Sequence, residues 1–362
     1  MKLHMKKFAL LMMALLLVVF VAACSNDSNS KSNDNTNKSS KTNTEQNESG
    51  SNSAANSIDV AWIGKTLNNP WWISVADFAE KEAKNLGINL TVSLPQEEVD
   101  LDKQVAMVEQ AIEKKTDAII ISAASSDGIV PVLKSAKEAG IKIVNFDTRV
   151  SDKSVIDVYV GADDVMGAYK AGKYIAESLG GQGKVGIITG LMAQSTGVDR
   201  REGFMKAMSE YPGIEVVAEA SAEWRSDLAA DVTTNMLTAH PDIDAIFASN
   251  DQMAVGMVNA AKSAGKLNDL ILVGYDGIQD AVRLVLDGSL DAFVALPNID
   301  EAVMGPRLAA ALVLNEDFKF ERELIYDTVL VTKDYVDGLT EQTIYEYTAE
   351  RFPLFNLTDK GY

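Results

Sequence analysis

Only one cysteine, Cys24, occurs in the 362 residues, so no disulfide can form within the chain. Histidine is almost as scarce: His4 and His240 make no Cys/His cluster of any recognised spacing, which excludes structural zinc. Basic residues are outnumbered, 33 against 52 acidic, for a formal net charge of -19. A surface of that sign repels phosphate backbones and excludes nucleic-acid binding. No residue pattern calls for a metal or a cofactor.

Long apolar runs are also rare, and the one at the N-terminus is informative. Met1-Lys2-Leu3-His4-Met5-Lys6-Lys7 precedes an unbroken apolar stretch from Phe8 to Ala23, the layout of a secretory leader. The stretch is shorter than the roughly 18 to 20 residues a membrane-spanning helix needs. It ends at Val21-Ala22-Ala23-Cys24, which resembles a bacterial lipobox with Val21 in place of the more usual Leu. Residues 1–23 are therefore expected to be a signal peptide and Cys24 a lipidated N-terminus; the competing reading is an uncleaved anchor with an incidental cysteine. Either places the remainder outside the cytoplasm. Residues 25–57 are almost entirely Ser, Asn, Thr, Lys, Asp and Glu, with no large side chain to bury, and read as a disordered tether. Its composition points to a Gram-positive cell, and as a flexible coil it spans roughly 30 Å.

From Ile58 the pattern changes. Short β-branched runs (Ile58 to Ile63, Leu90 to Ser93, Ala118 to Ser122, Ile141 to Phe146, Val155 to Val160) alternate with helical spacing, such as Trp72, Val75, Ala79, Ala83 and Leu86 closing at Gly87. A second series follows at Val185 to Thr189, Ile214 to Ala218, Ala245 to Ala248, Ile271 to Val273 and Ala292 to Leu296. Repeated βα units over about 300 residues predict an α/β fold of two doubly wound parallel-sheet lobes. Ligands of such sheets sit beyond the carboxyl ends of the strands.

Those ends carry Lys65-Thr66-Leu67-Asn68-Asn69-Pro70-Trp71-Trp72 and Asn145-Phe146-Asp147-Thr148-Arg149 in the first series. In the second they carry Asp199-Arg200-Arg201-Glu202-Gly203-Phe204, Glu223-Trp224, Ser249-Asn250-Asp251 and Gly274-Tyr275-Asp276-Gly277. Amide, carboxylate, guanidinium and indole together suit a sugar, whose hydroxyls donate and accept while its C–H faces lie on aromatic rings. Each feature has a plainer reading. Asn69-Pro70 could start a helix, Asp147 and Asp276 could cap the helices that follow, and Arg200 and Trp224 could be a surface ion pair and a core plug. Trp71 and Trp72 point about 100° apart on a helix, so at least one should face a cleft or the surface.

Taken with Leu237-Thr238-Ala239-His240-Pro241-Asp242, Phe247-Ala248-Ser249-Asn250-Asp251-Gln252-Met253-Ala254 and Val273-Gly274-Tyr275-Asp276-Gly277, the folded part resembles the ribose-type periplasmic sugar-binding proteins of bacterial ABC transporters. The resemblance implies a type I two-lobe fold with a three-crossing hinge near Ala162 to Asp164, Leu296 to Asn298 and Asp327 to Val331. It implies lobes made of residues 58–162 with 297–327 and of 163–296 with 328–340, and sugar contacts from Asn69, Trp71, Trp72, Asp147, Arg200, Trp224, Asn250 and Asp276. An ABC permease is the implied partner of a monomeric, membrane-anchored binder, with presentation to a chemoreceptor or histidine kinase as the alternative. The chain departs from the ribose pattern where Ser122 replaces an Asn, Ala295 replaces a Gln, Thr148 precedes Arg149, and three tryptophans replace phenylalanines, so a larger pyranose, a polyol or a furanose derivative fits as well. Residues 341–362 extend past the family's usual end, with Tyr345, Tyr347, Phe352, Leu354 and Phe355 available to cover lobe surface.

Two other classes are not supported. Gly180-Gly181-Gln182-Gly183-Lys184 has the look of a phosphate loop, but it precedes a strand and lacks the Ser/Thr after Lys184. No Ser/His/Asp arrangement stands behind an enzyme. A repressor of the same fold would need a basic helix-turn-helix where the leader and tether lie.

Overall fold

The computed structural model describes residues 58–314 and 321–336. Cys24, the leader, the tether and the 341–362 extension lie outside the described residues.

The first sheet follows the predicted βα rhythm: β1 (Asp59–Ile63), α1 (Pro70–Leu86), β2 (Asn89–Ser93), α2 (Leu101–Lys114), β3 (Ala118–Ile121), α3 (Val130–Glu138), β4 (Lys142–Phe146) and β5 (Val158–Ala162). The second begins after α4 (Asp164–Ser178) with β6 (Gln182–Thr189), α5 (Ser195–Ser209), β7 (Gly213–Ser221), α6 (Ser226–Ala239), β8 (Ala245–Ala248), α7 (Asp251–Ser263), β9 (Ile271–Asp276), α8 (Gln279–Asp287) and β10 (Ala292–Ala295). The chain then returns through α9 (Asn298–Leu314) to β11 (Glu323–Tyr326), crosses again to β12 (Val329–Thr332), and reaches α10 (Lys333–Val336).

The sheet orders are β11-β5-β4-β3-β1-β2 and β12-β10-β9-β8-β6-β7. Central strands are largely apolar because helices cover both faces; all of β3, Ala-Ile-Ile-Ile, is buried. One strand departs from the parallel expectation: β12 runs antiparallel to β10. The chain leaves β11 at the end facing the other lobe and enters β12 two residues later, too soon for the crossover a parallel partner requires. The three passages between sheets fall between β5 and α4, between β10 and α9, and between β11 and β12, with α9 packed on the first sheet and α4 on the second.

Helix α1 shows how local sequence fixes the entry to the cleft. Asn69 caps it, Pro70 occupies the first turn where no N–H is missed, and Gly87 ends it at φ 70°. Trp72, Val75, Ala79 and Ala83 are buried as spaced, whereas Leu86 is exposed, since the chain turns at Gly87 and Ile88 takes the apolar position. The glycine-rich segment is a helix-to-strand turn confined to Gly180 and Gly181, both at positive φ, and β6 already starts at Gln182. Strand β9 runs three residues further than its β-branched core, through Gly274-Tyr275-Asp276.

Candidate functional site

Between the two sets of strand ends lies a cavity of about 280 Å³. Lys65, Asn69, Trp71, Trp72, Glu98 and Asp147 form its wall on the first lobe; Thr196, Arg200, Trp224, Asn250, Asp276 and Leu296 form the wall on the second. All eight residues expected from the sequence meet here.

On the first lobe the side chains do two jobs at once. Asn69 Oδ1 accepts the Trp71 amide at 3.0 Å, so the residue caps α1 and lines the cavity. The indoles of Trp71 and Trp72 meet edge to face at 4.6 Å, and both are buried. Trp72 joins Trp62 and Phe146 in an aromatic cluster, while Trp71 Nε1 donates to Asn298 Oδ1 at 2.8 Å, at the start of α9. Asp147 is not a helix cap: the chain turns there at φ 53°, no α-helix follows, and its carboxylate accepts from Ser122 Oγ at 2.8 Å and Thr148 Oγ1 at 2.9 Å. Burial opposes that charge, but Lys65, Arg200 and the two hydroxyls hold it below the ordinary carboxylate value. Ser122 thus serves the wall residue instead of joining the wall.

Lys65 and Glu98 were not among the expected residues. The Lys65 ammonium lies 2.8 Å from Thr148 Oγ1, 3.1 Å from Glu98, 3.3 Å from Asp147, and 5.1 Å from the Trp72 ring centre. Burial pulls it down, yet Asp147 and Glu98 outweigh burial and raise the ammonium above its usual value. Burial pushes Glu98 up against the pull of Lys65. Lys65 stands in the strand-end segment quoted after β1 and Glu98 in the loop after β2, an end from which no segment was drawn; the strand-end rule applied evenly reaches both.

The second lobe is organised around Arg200. It lies inside α5 and not at the end of β6 as expected, because the loop of residues 190–194 intervenes. Its Nε donates to Asp164 at 2.8 Å and one Nη to both the Ser249 carbonyl and Asp276, each at 2.8 Å. The plane stacks on Tyr275 at 4.0 Å, with Trp224 at 5.5 Å. With 4 % of its surface exposed, it is neither a surface residue nor half of an isolated pair. Trp224 sits at φ 64° and lies so close over Gly190 that a methyl there would fall 2.1 Å from its ring. Asn250 caps α7 through the Met253 amide at 2.8 Å. Asp276, at φ 117°, does not cap α8; its turn is held by Asp251, whose carboxylate accepts the amides of Gly277 at 2.6 Å and Ile278 at 3.0 Å. Burial pushes Asp276 up to about 7, with Arg200 pulling the other way. Arg149, beyond Thr148, leaves the cavity and pairs with Asp199.

Carboxylates, a guanidinium, an ammonium, carboxamides and flat indoles thus face each other across the gap between lobes, an arrangement suited to a small polyhydroxylated molecule with apolar faces. Among the described residues, no cluster of His, Cys, Asp and Glu could hold a metal ion, and no helix is long and apolar enough to cross a membrane.

A family model, the periplasmic binding protein domain, matches residues 60–317. The chain belongs to this family. Within it the protein is of the ribose type: it is 36% identical over 236 residues to the ribose import binding protein of Escherichia coli, covering 65% of this chain and 78% of that one. A solved solute-binding protein of an ABC transporter from Actinobacillus succinogenes, with bound D-allose, is 35% identical with a TM-score of 0.72, covering 76% of this chain and 98% of its own. The fructose-binding periplasmic domain of a hybrid two-component system, BT1754, is 28% identical with a TM-score of 0.72, covering 84% and 97%. The periplasmic binding protein reading thus agrees with the two-lobe topology.

Proposed function

We propose that this periplasmic binding protein captures a monosaccharide or related polyol by closing its lobes about the three crossings, and delivers it to an ABC permease from a lipid anchor at Cys24 on the outer face of the cell membrane. The observation that carries the reading is the cavity wall, to which both lobes bring charged hydrogen-bonding groups and indoles. A ligand drives closure only by touching both sides, and here Asn69, Trp71, Trp72 and Asp147 face Arg200, Trp224, Asn250 and Asp276. The additional Lys65–Glu98 pair offers a donor and an acceptor beyond the expected set, which favours an aldose with a full complement of hydroxyls, such as D-allose, over a smaller ligand.

Titration with D-ribose, D-allose and a panel of hexoses and polyols tests this. A binding sugar changes tryptophan fluorescence and raises the melting temperature with concentration; silence across the panel refutes the sugar reading. Mass spectrometry of the membrane fraction should show a mature chain beginning at a lipid-modified Cys24. The likeness to a two-component sensor domain supports a second reading, presentation of the bound sugar to a histidine kinase. Loss of sugar uptake on gene deletion, with sugar-induced transcription intact, decides for transport.

A further inference from the structure

The loop between β6 and α5 crosses the cleft and rests on the first lobe. The Ser126 amide donates to the Ala193 carbonyl at 2.9 Å, the Ser195 amide to Ser126 Oγ at 3.0 Å, and the Arg149 amide to Ser195 Oγ at 2.8 Å. These bonds close the lobes but touch nothing in the cavity wall. Gln194, in their midst, is different. It is fully buried, and it is not itself a wall residue. Its Oε1 accepts two donors, Lys65 Nζ from the first lobe at 3.0 Å and Trp224 Nε1 from its own lobe at 2.8 Å, while its Nε2 donates to the Ala124 carbonyl of the first lobe at 3.1 Å. Both donors on Oε1 belong to wall residues.

We propose that Gln194 is a positioning residue that fastens the Trp224 indole and the Lys65 ammonium to one carboxamide only when the lobes are shut, so that closing the cleft and setting its chemistry are a single event. The proposal rests on the capture reading above. A primary carboxamide suits the role because one oxygen with two lone pairs can serve a donor from each lobe while the nitrogen ties the group to a third point. On opening, the bonds to Lys65 and to Ala124 separate with the lobes, and the bond to Trp224, within one lobe, remains. The ammonium then loses one of its fixed partners, and the indole is held by a carboxamide no longer anchored across the cleft. Gln194 therefore acts on how long the ligand stays, and little on how fast it enters an open cleft.

The test is stopped-flow tryptophan fluorescence with D-allose and D-ribose on the wild-type chain and on Gln194→Leu and Gln194→Glu, alongside melting of the ligand-free proteins. Leu fills similar space without the bonds; Glu keeps the acceptor for Lys65 and Trp224 and loses only the donor to the Ala124 carbonyl. The expected result for Gln194→Leu is a dissociation rate raised about ten- to hundredfold, the cost of losing hydrogen bonds of which one is to a charged group, with the association rate changed less than about threefold. Gln194→Glu, which retains the Lys65 and Trp224 bonds but not the one to Ala124, should dissociate more slowly than Gln194→Leu and faster than the wild type. A wild-type dissociation rate in Gln194→Leu overturns the proposal, as does a faster rate matched by an equal loss of ligand-free stability that Gln194→Glu fails to rescue. Failure of the wild-type chain to bind either sugar is a different outcome: it removes the capture reading for these ligands, and the coupling with it.

Discussion

Asp300 should make this protein less stable as the pH rises through neutrality. It stands in the first turn of α9, beside the second crossing between lobes, with 1 % of its surface exposed and neither carboxyl oxygen hydrogen-bonded. Burial pushes it up to about 7, and Arg307, whose Nε bonds Glu82 at 2.6 Å, tempers this. The folded state thus holds the proton more tightly than the unfolded chain does. The group's contribution is fully present below the unfolded value near 3.8 and is lost as pH rises through about 7. Each unit in that window costs about 1.4 kcal/mol, for a ceiling of roughly 4 kcal/mol. Relaxation around a newly charged buried group lowers such costs, and we expect about half. Asp300→Asn keeps the shape and removes the charge. Urea unfolding of the ligand-free protein should show the variant gaining on the wild type by about 1–3 kcal/mol between pH 5 and pH 8. A gap between the two that does not widen with pH would refute the argument that this carboxyl is buried without a partner.

Arg200→Ala should abolish sugar binding and also lower stability by about 3–5 kcal/mol, because it leaves Asp164 and Asp276 buried without their cation; calorimetry and thermal melting read the two effects. Gly190→Ala should displace the Trp224 indole and weaken binding at least tenfold, seen as a shifted tryptophan emission, since the new methyl has no room beneath the ring. Asn69→Ala should cost about 1 kcal/mol of stability through the lost cap of α1, together with affinity; a stability loss with unchanged affinity would confine Asn69 to capping.

Much of this was legible from residues alone, and the exceptions have physical causes. Buried parallel strands announce themselves as short β-branched runs, so the two βα series and the ends that carry Asn69, Asp147, Trp224 and Asn250 were readable. Strand β9 looked shorter than it is because Gly274-Tyr275-Asp276 has the composition of a turn. Gly274 is in fact a packing requirement: a side chain there would lie 2.4 Å from Asp251 Oδ1, the carboxylate that holds the Asp276 turn. Lys65, though quoted at a strand end, and Glu98 are not assigned to the wall from sequence because isolated charges in loops are usually solvated; only the fold reveals that each is buried and that they answer one another. The same limit applied to Arg200, whose partner Asp164 stands far from it in sequence at the first crossing. The antiparallel direction of β12 is a property of the route between sheets, which periodicity within a strand does not record.

The last two strands have a consequence for how the chain is made. Because β11 completes the edge of the first sheet and β12 the edge of the second, neither lobe is a contiguous stretch of sequence. A ribosome has finished nearly the whole chain before either sheet can close, and pairings of such long sequence separation form slowly. During synthesis the first series of βα units exists without its final strand and without α9, the helix that covers its sheet. Completion of both sheets therefore waits on the last two strands, so the order of folding is set by the C-terminal end of the described chain and not by the first βα units.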